Sequence, residues 1–137
     1  GSITSLEANA AGLPVVACMA FDSGKDKDRT MMGVTPEQSA EALISAGADV
    51  IGANCGMGVD TAAPIVAALA AATDRPIWIK ANAGMPELVG RDVVYGLGPD
   101  EYAAHVAGLL AAGARFVGGC CGTTPAHIAA IHAVLVR

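Results

Sequence analysis

Three cysteines stand in settings suited to metal or thiol chemistry. Cys55 lies in Gly52-Ala53-Asn54-Cys55-Gly56, and a vicinal pair lies in Gly118-Gly119-Cys120-Cys121-Gly122. Three converging thiolates supply three of the four ligands of a tetrahedral zinc, and a three-ligand site with an open fourth position is a catalytic rather than a structural arrangement. The flanking glycines let the backbone turn tightly enough for adjacent cysteines to face one ion. A soft, electron-rich site of this type suits a substrate thiol better than hydroxide. A thiol entering the open position would lose its proton and become nucleophilic at neutral pH. The residue types alone leave two other readings open: a redox-active vicinal dithiol, and buried, inert cysteines.

An internal repeat brings the three together. Ala46-Gly47-Ala48-Asp49-Val50-Ile51-Gly52-Ala53-Asn54-Cys55 aligns without gaps with Ala112-Gly113-Ala114-Arg115-Phe116-Val117-Gly118-Gly119-Cys120-Cys121. In each copy a helix ends at Ala-Gly-Ala, a strand follows, and cysteine stands where the strand ends. Equivalent positions of successive βα units lie at equal height around a barrel or sheet. The repeat therefore predicts that Cys55, Cys120 and Cys121 share the C-terminal rim, where α/β folds build their sites.

The elements that must position this rim are legible as alternating runs. Leu13 to Ala20, Asp49 to Ala53, Pro76 to Ala81 and Arg115 to Gly118 are short apolar runs without strict alternation, which predicts buried strands. Between them, Thr35-Pro36-Glu37-Gln38 carries a capping-box pattern, and Asp60 is placed to cap a helix through Ile65, Val66 and Leu69. Gly98-Pro99-Asp100-Glu101 and Thr124-Pro125 open two more helices, and a short helix is expected around Ser5 to Ala11. The order α-βαβαβαβα predicts parallel strands joined by right-handed crossovers.

Composition sets outer bounds. The 137 residues are 53% hydrophobic and 15% charged, which excludes a disordered chain and favours strands covered on both faces. They read as one domain, 1–137, with Gly1-Ser2 compatible with a cloning remnant. A net charge of −5 argues against nucleic acid. The uncharged run from Phe116 to Val136 is broken by Cys120-Cys121, Thr123-Thr124-Pro125, His127 and His132, so a membrane span is not expected. No basic-then-apolar leader is visible at the N-terminus, and reduced thiols in core-forming segments point to a cytoplasmic setting.

The run from Gly118 through Thr123-Thr124-Pro125-Ala126-His127-Ile128, with Gly52-Ala53-Asn54-Cys55 upstream, resembles the zinc-dependent homocysteine S-methyltransferases. That family includes betaine-homocysteine methyltransferase and the homocysteine-binding domain of cobalamin-dependent methionine synthase. The resemblance implies that Cys55, Cys120 and Cys121 are ligands to Zn2+. It also matches Ala81-Asn82-Ala83-Gly84-Met85-Pro86 to the family's Asn-Ala-Gly segment. Asn82 is then a resting-state ligand displaced by substrate sulfur, or an Asn bonding turn amides after a strand. Asn54 and Asn82 are the implied substrate contacts.

The family fold is a (β/α)8 barrel, and this chain corresponds to its last four strands, a (β/α)4 half-barrel. The family's N-terminal Asp-Gly-Ala segment and the acidic residue that holds the homocysteine amino group have no counterpart here. Two expectations follow. One is methyl transfer to homocysteine giving methionine, with methylcobalamin on a corrinoid partner, betaine, another methylamine or a sulfonium as donor. The other is a zinc- or thiol-binding half-barrel inactive without a complementary N-terminal half. A full barrel takes ~250 residues, and four units leave two open strand edges, so a homodimer or a complementary half-barrel is expected.

Other candidates carry weaker signals. Cys18, inside the first strand, is expected as a small core residue, and His127 as helix packing or an outer metal contact. His105 and His132 read as plain helix residues. Asp22, Arg29 and Thr30, in the loop leaving the first strand, could meet substrate or a donor domain. Met85 to Gly98, with Tyr95, is expected as a long loop on the same rim, serving as lid or partner contact or simply mobile.

Overall fold

The computed structural model describes residues 12–137, so the helix expected over Ser5 to Ala11 lies outside the described residues. Four strands, β1 (Val16–Met19), β2 (Val50–Gly58), β3 (Ile77–Asn82) and β6 (Ala114–Gly119), form one parallel sheet in the order β1-β2-β3-β6. Helices α1 (Pro36–Ser45), α2 (Ala63–Ala72), α3 (Pro99–Ala104), α4 (Val106–Ala112) and α5 (Pro125–Leu135) connect or follow them. Strands adjacent in space and joined by helical crossovers make a mixed α/β architecture compatible with part of a TIM-like barrel. None of the helices among the described residues is long and apolar enough to cross a membrane.

Register supports that geometry. Asn54, Lys80 and Gly118 are ladder partners across β2, β3 and β6, whereas the sequence repeat equates Gly118 with Gly52. Past the irregularity of the β3–β6 ladder between Ile77 and Trp78, repeat and ladder thus differ by two residues over two strand-to-strand steps; before it, where Ile51, Ile77 and Ala114 pair, they differ by three. One residue per step is the stagger of an eight-stranded barrel with a shear of about 8.

The two faces of the sheet differ. Ile51, Ala53, Ile77, Ile79 and Ala81 point to the helices and are buried against Val66, Leu69, Val106 and Leu109 in one apolar core. The alternate residues, Val16, Cys18, Asn54, Trp78, Lys80 and Phe116, line the opposite face. There Phe116 is 46% and Val16 43% exposed. Trp78 stacks on Phe116 with ring centroids 5.5 Å apart, Lys80 Nζ lies 5.5 Å from the Trp78 ring, and the buried Trp78 Nε1 has no hydrogen-bond partner.

Helix starts follow the sequence at three positions. Thr35 Oγ1 accepts from the Gln38 N–H and Gln38 Oε1 accepts from the Thr35 N–H, closing the capping box of α1. Glu101 accepts from the Gly98 N–H, and His127 Nδ1 from the Thr124 N–H, at the starts of α3 and α5.

Three expectations are corrected. Asp60 does not cap a helix; it sits in a 3-10 turn, Val59–Thr61, and α2 starts after it with Pro64 in its first turn. The helix after β3 is divided at His105, whose N–H turns back to the Tyr102 carbonyl three residues earlier (3.1 Å), tightening the last turn of α3. Met85 to Gly98 is not a plain loop. It holds an antiparallel hairpin, β4 (Pro86–Val89) with β5 (Asp92–Tyr95), joined by the two-residue turn Gly90-Arg91.

Candidate functional site

The C-terminal ends of β2 and β6 bring three thiols together. The Sγ atoms of Cys55 and Cys121 lie 3.3 Å apart and those of Cys120 and Cys121 4.0 Å apart, with all three within 4.8 Å of one another. A tetrahedral zinc with bonds of about 2.3 Å separates its sulfurs by about 3.8 Å. The spacing therefore fits a single ion, and all three cysteines are free and half-buried.

Backbone hydrogen bonds fix the Cys120-Cys121 loop after β6 against the end of β3. The Cys120 N–H donates to the Ala81 carbonyl (2.9 Å), and the Ala83 N–H donates to the Cys121 carbonyl (2.9 Å). Between them the Cys121 N–H donates to Asn82 Oδ1 (3.1 Å), and Asn82 is only 5% exposed. Asn82 therefore bonds a turn amide beside the sulfurs, one of its two expected roles. Thr123 closes the loop, its N–H and its hydroxyl both donating to the Cys120 carbonyl (3.1 and 2.7 Å).

On the other side, Cys55 adopts φ +55 where β2 bulges between Asn54 and Gly58. A non-glycine residue in the left-handed region is uncommon and clusters at functional positions. This kink lies at the cysteine itself. Gly122, at φ +79, is required by contact as well as by conformation, because a Cβ there would run into Cβ and Cγ of Tyr95.

Tyr95 belongs to the hairpin, and sequence reading placed it only in a rim loop. Its pKa is raised, first by the Cys121 side chain beside it, then by burial and by the charges of Cys121, Cys55 and Cys120. The signal for it was the Val-Val-Tyr run after Gly90. A hairpin with nearly every residue exposed leaves no core pattern by which to find it.

Tyr102 was missed altogether. Fully buried on α3, it places its hydroxyl 2.8 Å from the Gly118 carbonyl and 3.1 Å from the Ala81 carbonyl, tying β3 to β6 beside the cysteine pair. Burial pushes its pKa up to about 12.

The remaining candidates are dispersed. His127 is 5% exposed rather than on the helix surface. Its Nδ1 accepts the Thr124 N–H, so Nε2 carries the proton and donates to the Leu97 carbonyl (2.9 Å), while its ring meets Tyr102 edge-on. Cys18 lies lower on the inner face of β1, away from the triad. Burial raises its thiol pKa and Lys80 partly offsets this. Asn54 is half-buried next to Cys55, in register with Lys80. Asp22 bonds the Ser23 hydroxyl (2.8 Å), Arg29 meets Asp28 (3.8 Å), and buried Thr30 accepts the Val34 N–H (3.1 Å) within its own loop. His105 ends α3, and His132 lies exposed on α5.

Comparison with known proteins agrees with this geometry. The sequence pattern described as homocysteine S-methyltransferase matches residues 2–135. The chain is 40% identical over 92 residues to a methionine synthase of Mycobacterium leprae, covering 66% of this chain and 8% of that one. It is 31% identical over 140 residues to betaine–homocysteine S-methyltransferase 1 of Danio rerio, covering 89% of this chain and 34% of that one. The metallated form of the homocysteine methyltransferase MmuM from Escherichia coli superposes with a TM-score of 0.69 at 23% identity, over 93% of this chain and 38% of that chain, a likeness of fold. The chain thus spans well under half the length of each of these relatives. Sequence pattern and relatives agree that the chain belongs to the homocysteine S-methyltransferase family, whose members are methyltransferases.

Proposed function

We propose that Cys55, Cys120 and Cys121 hold a zinc ion at which the thiol of homocysteine is activated for methyl transfer, giving methionine. The observation that carries this reading is the convergence of three free thiols on one rim, at the spacing one tetrahedral ion requires. When bound, zinc supplies Lewis acidity that draws a coordinated thiol toward its thiolate at neutral pH.

The chain's own part is to hold the ligands in place. Asn82, through the Cys121 amide, and Thr123, through the Cys120 carbonyl, fix the vicinal pair. The bulge in β2 turns Cys55 toward it. Asn82, as a resting-state ligand, and Asn54, as a substrate contact, are the neighbouring polar groups. Proton removal from the substrate needs no further base in this scheme, because the lowered thiol pKa releases the proton to solvent.

The whole of 1–137 acts in this reading as a single C-terminal (β/α)4 half-barrel in a reducing, cytoplasmic setting. The methionine synthase relatives favour methylcobalamin on a corrinoid partner as donor. A second reading has a specific observation behind it. The uncovered inner face, with Phe116 and Val16 nearly half exposed, favours a chain that binds metal and thiol but turns over only when a complementary half-barrel covers that face.

Metal analysis combined with a methyl-transfer assay, using homocysteine with methylcobalamin or betaine, tests both. Stoichiometric zinc with methionine formed supports the first reading. Zinc with a homocysteine-dependent spectral change but no product supports the second. A folded, reduced protein that takes up no zinc defeats both.

A further inference from the structure

A closed cycle of bonds begins and ends at Cys121. The chain runs from Cys121 to Thr124, whose N–H donates to His127 Nδ1 (3.1 Å). His127 Nε2 donates to the Leu97 carbonyl (2.9 Å) and the Leu97 N–H to the Ala83 carbonyl (3.1 Å). The Ala83 N–H then returns to the Cys121 carbonyl (2.9 Å). Every hydrogen-bonding group in this cycle is main chain except the imidazole of His127, which is 5% exposed. Its step needs an acceptor at one ring nitrogen and a donor at the other, which a neutral imidazole supplies. Leu97 follows the hairpin and Thr124 caps α5, so His127 ties the segment leaving the hairpin to the helix that follows the cysteines. The place where the cycle closes gives it consequence. Cys121 Sγ lies 3.3 Å from that of Cys55 and 4.0 Å from that of Cys120, so turning the Cys121 peptide changes both spacings.

We propose that His127 is a positioning residue of the cysteine centre, holding the Cys121 carbonyl through Leu97 and Ala83 and so setting the Cys121 sulfur toward the metal. Outer groups that orient metal ligands typically change affinity 10–100-fold when removed, and His127, acting through two further bonds, belongs at the lower end. The inference rests on the reading of the three cysteines as a metal site and adds to it a role for the start of α5.

The test is zinc affinity by chelator competition, together with the absorption spectrum of the Co2+-loaded protein, for the full chain and two variants. His127→Asn sets an amide oxygen where Nδ1 stands, keeping the bond to Thr124, but is too short to reach Leu97. His127→Gln carries an amide N–H at the reach of Nε2 and keeps the Leu97 bond. His127→Asn is expected to bind zinc about 10-fold more weakly, with a shifted sulfur-to-cobalt charge-transfer band, while His127→Gln stays near the parent in both. A role in capping alone gives the reverse order. A role in stability alone lowers both affinities in step with the unfolding midpoint of the metal-free protein. Either pattern overturns the proposal, as does parental affinity with an unshifted band in folded His127→Asn. If His127→Asn does not fold, a folded His127→Gln with affinity lowered about 10-fold overturns it alone, because the Leu97 bond is kept. Each of these outcomes leaves the metal reading standing. A wild-type chain that is folded and reduced but binds neither ion overturns both.

Discussion

The helix-facing and inner faces of the same parallel sheet are finished to different degrees. On the helix side, Ile51, Ile77 and Ile79 are at most 2% exposed and pack into a closed core. On the inner side, Phe116 and Val16 remain nearly half exposed, Trp78 has an unpartnered indole N–H, and Lys80 Nζ lies 5.5 Å from the Trp78 ring. The cysteine rim lies at the C-terminal ends of these strands but shares the completeness of the helix side. Its segments are held by backbone bonds from β3, by Thr123, and by the hairpin seated on Gly122. The described residues therefore bring the three thiols together, while leaving Phe116 and Val16 of the inner face partly exposed.

The sharpest break in that contrast is at the rim. Cys121→Ser should lower zinc affinity by more than about 100-fold, since it removes a ligand rather than an outer partner. Its unfolding midpoint should stay near that of the metal-free parent. Chelator competition and denaturant unfolding of the same samples check the pair of expectations, and unchanged affinity would contradict the site.

Among stability changes, the helix face should respond most. Ile79→Ala is expected to cost about 2–5 kcal/mol, from lost burial plus the cavity left behind. Gly122→Ala, forced to hold a side chain at φ +79 against Tyr95, should cost about 1–3 kcal/mol. It should also loosen zinc binding, which separates it from a purely global effect.

Tyr102→Phe leaves the Gly118 carbonyl without its hydroxyl partner, at about 1–3 kcal/mol. Because the folded pKa of Tyr102 is raised to about 12 from 10, its contribution is fully present below pH 10 and lost as pH rises through about 12. The variant should lack that alkaline loss in unfolding curves taken across pH 9–12. The smallest effect belongs to the inner face. Phe116→Ala should cost under about 1 kcal/mol, because the ring is already 46% exposed. A cost matching that of Ile79→Ala would show the face to be covered in solution and would erase the contrast.

Much of this was legible in the residues themselves. The Thr35-Pro36-Glu37-Gln38 cap, the four apolar runs and the two cysteine segments are local signals, and each strand and helix start they predict is found within a few residues. The repeat was informative because Ala-Gly-Ala, strand and cysteine recur in step with the βα unit. It could not give the ladder register, which is set by the stagger between strands. The hairpin was read as a loop because its residues bury almost nothing, and periodicity reports burial. Tyr102 leaves no signal as a site support because its partners are backbone carbonyls, which have no letter in a sequence.

The sequence by itself determined the alternating α/β order, the apolar strands, and the identity and rim placement of Cys55, Cys120 and Cys121, since these follow from short-range pattern and from position within a repeat. Only the tertiary structure decided that the three sulfurs lie within 4.8 Å, that Asn82 binds the Cys121 amide, that Tyr95 closes on Gly122, and that Phe116 and Val16 on the inner face stay nearly half exposed. Those facts depend on strand stagger, a left-handed residue at Cys55 and contacts between segments distant in the chain, where many arrangements share the same local preferences and packing selects one.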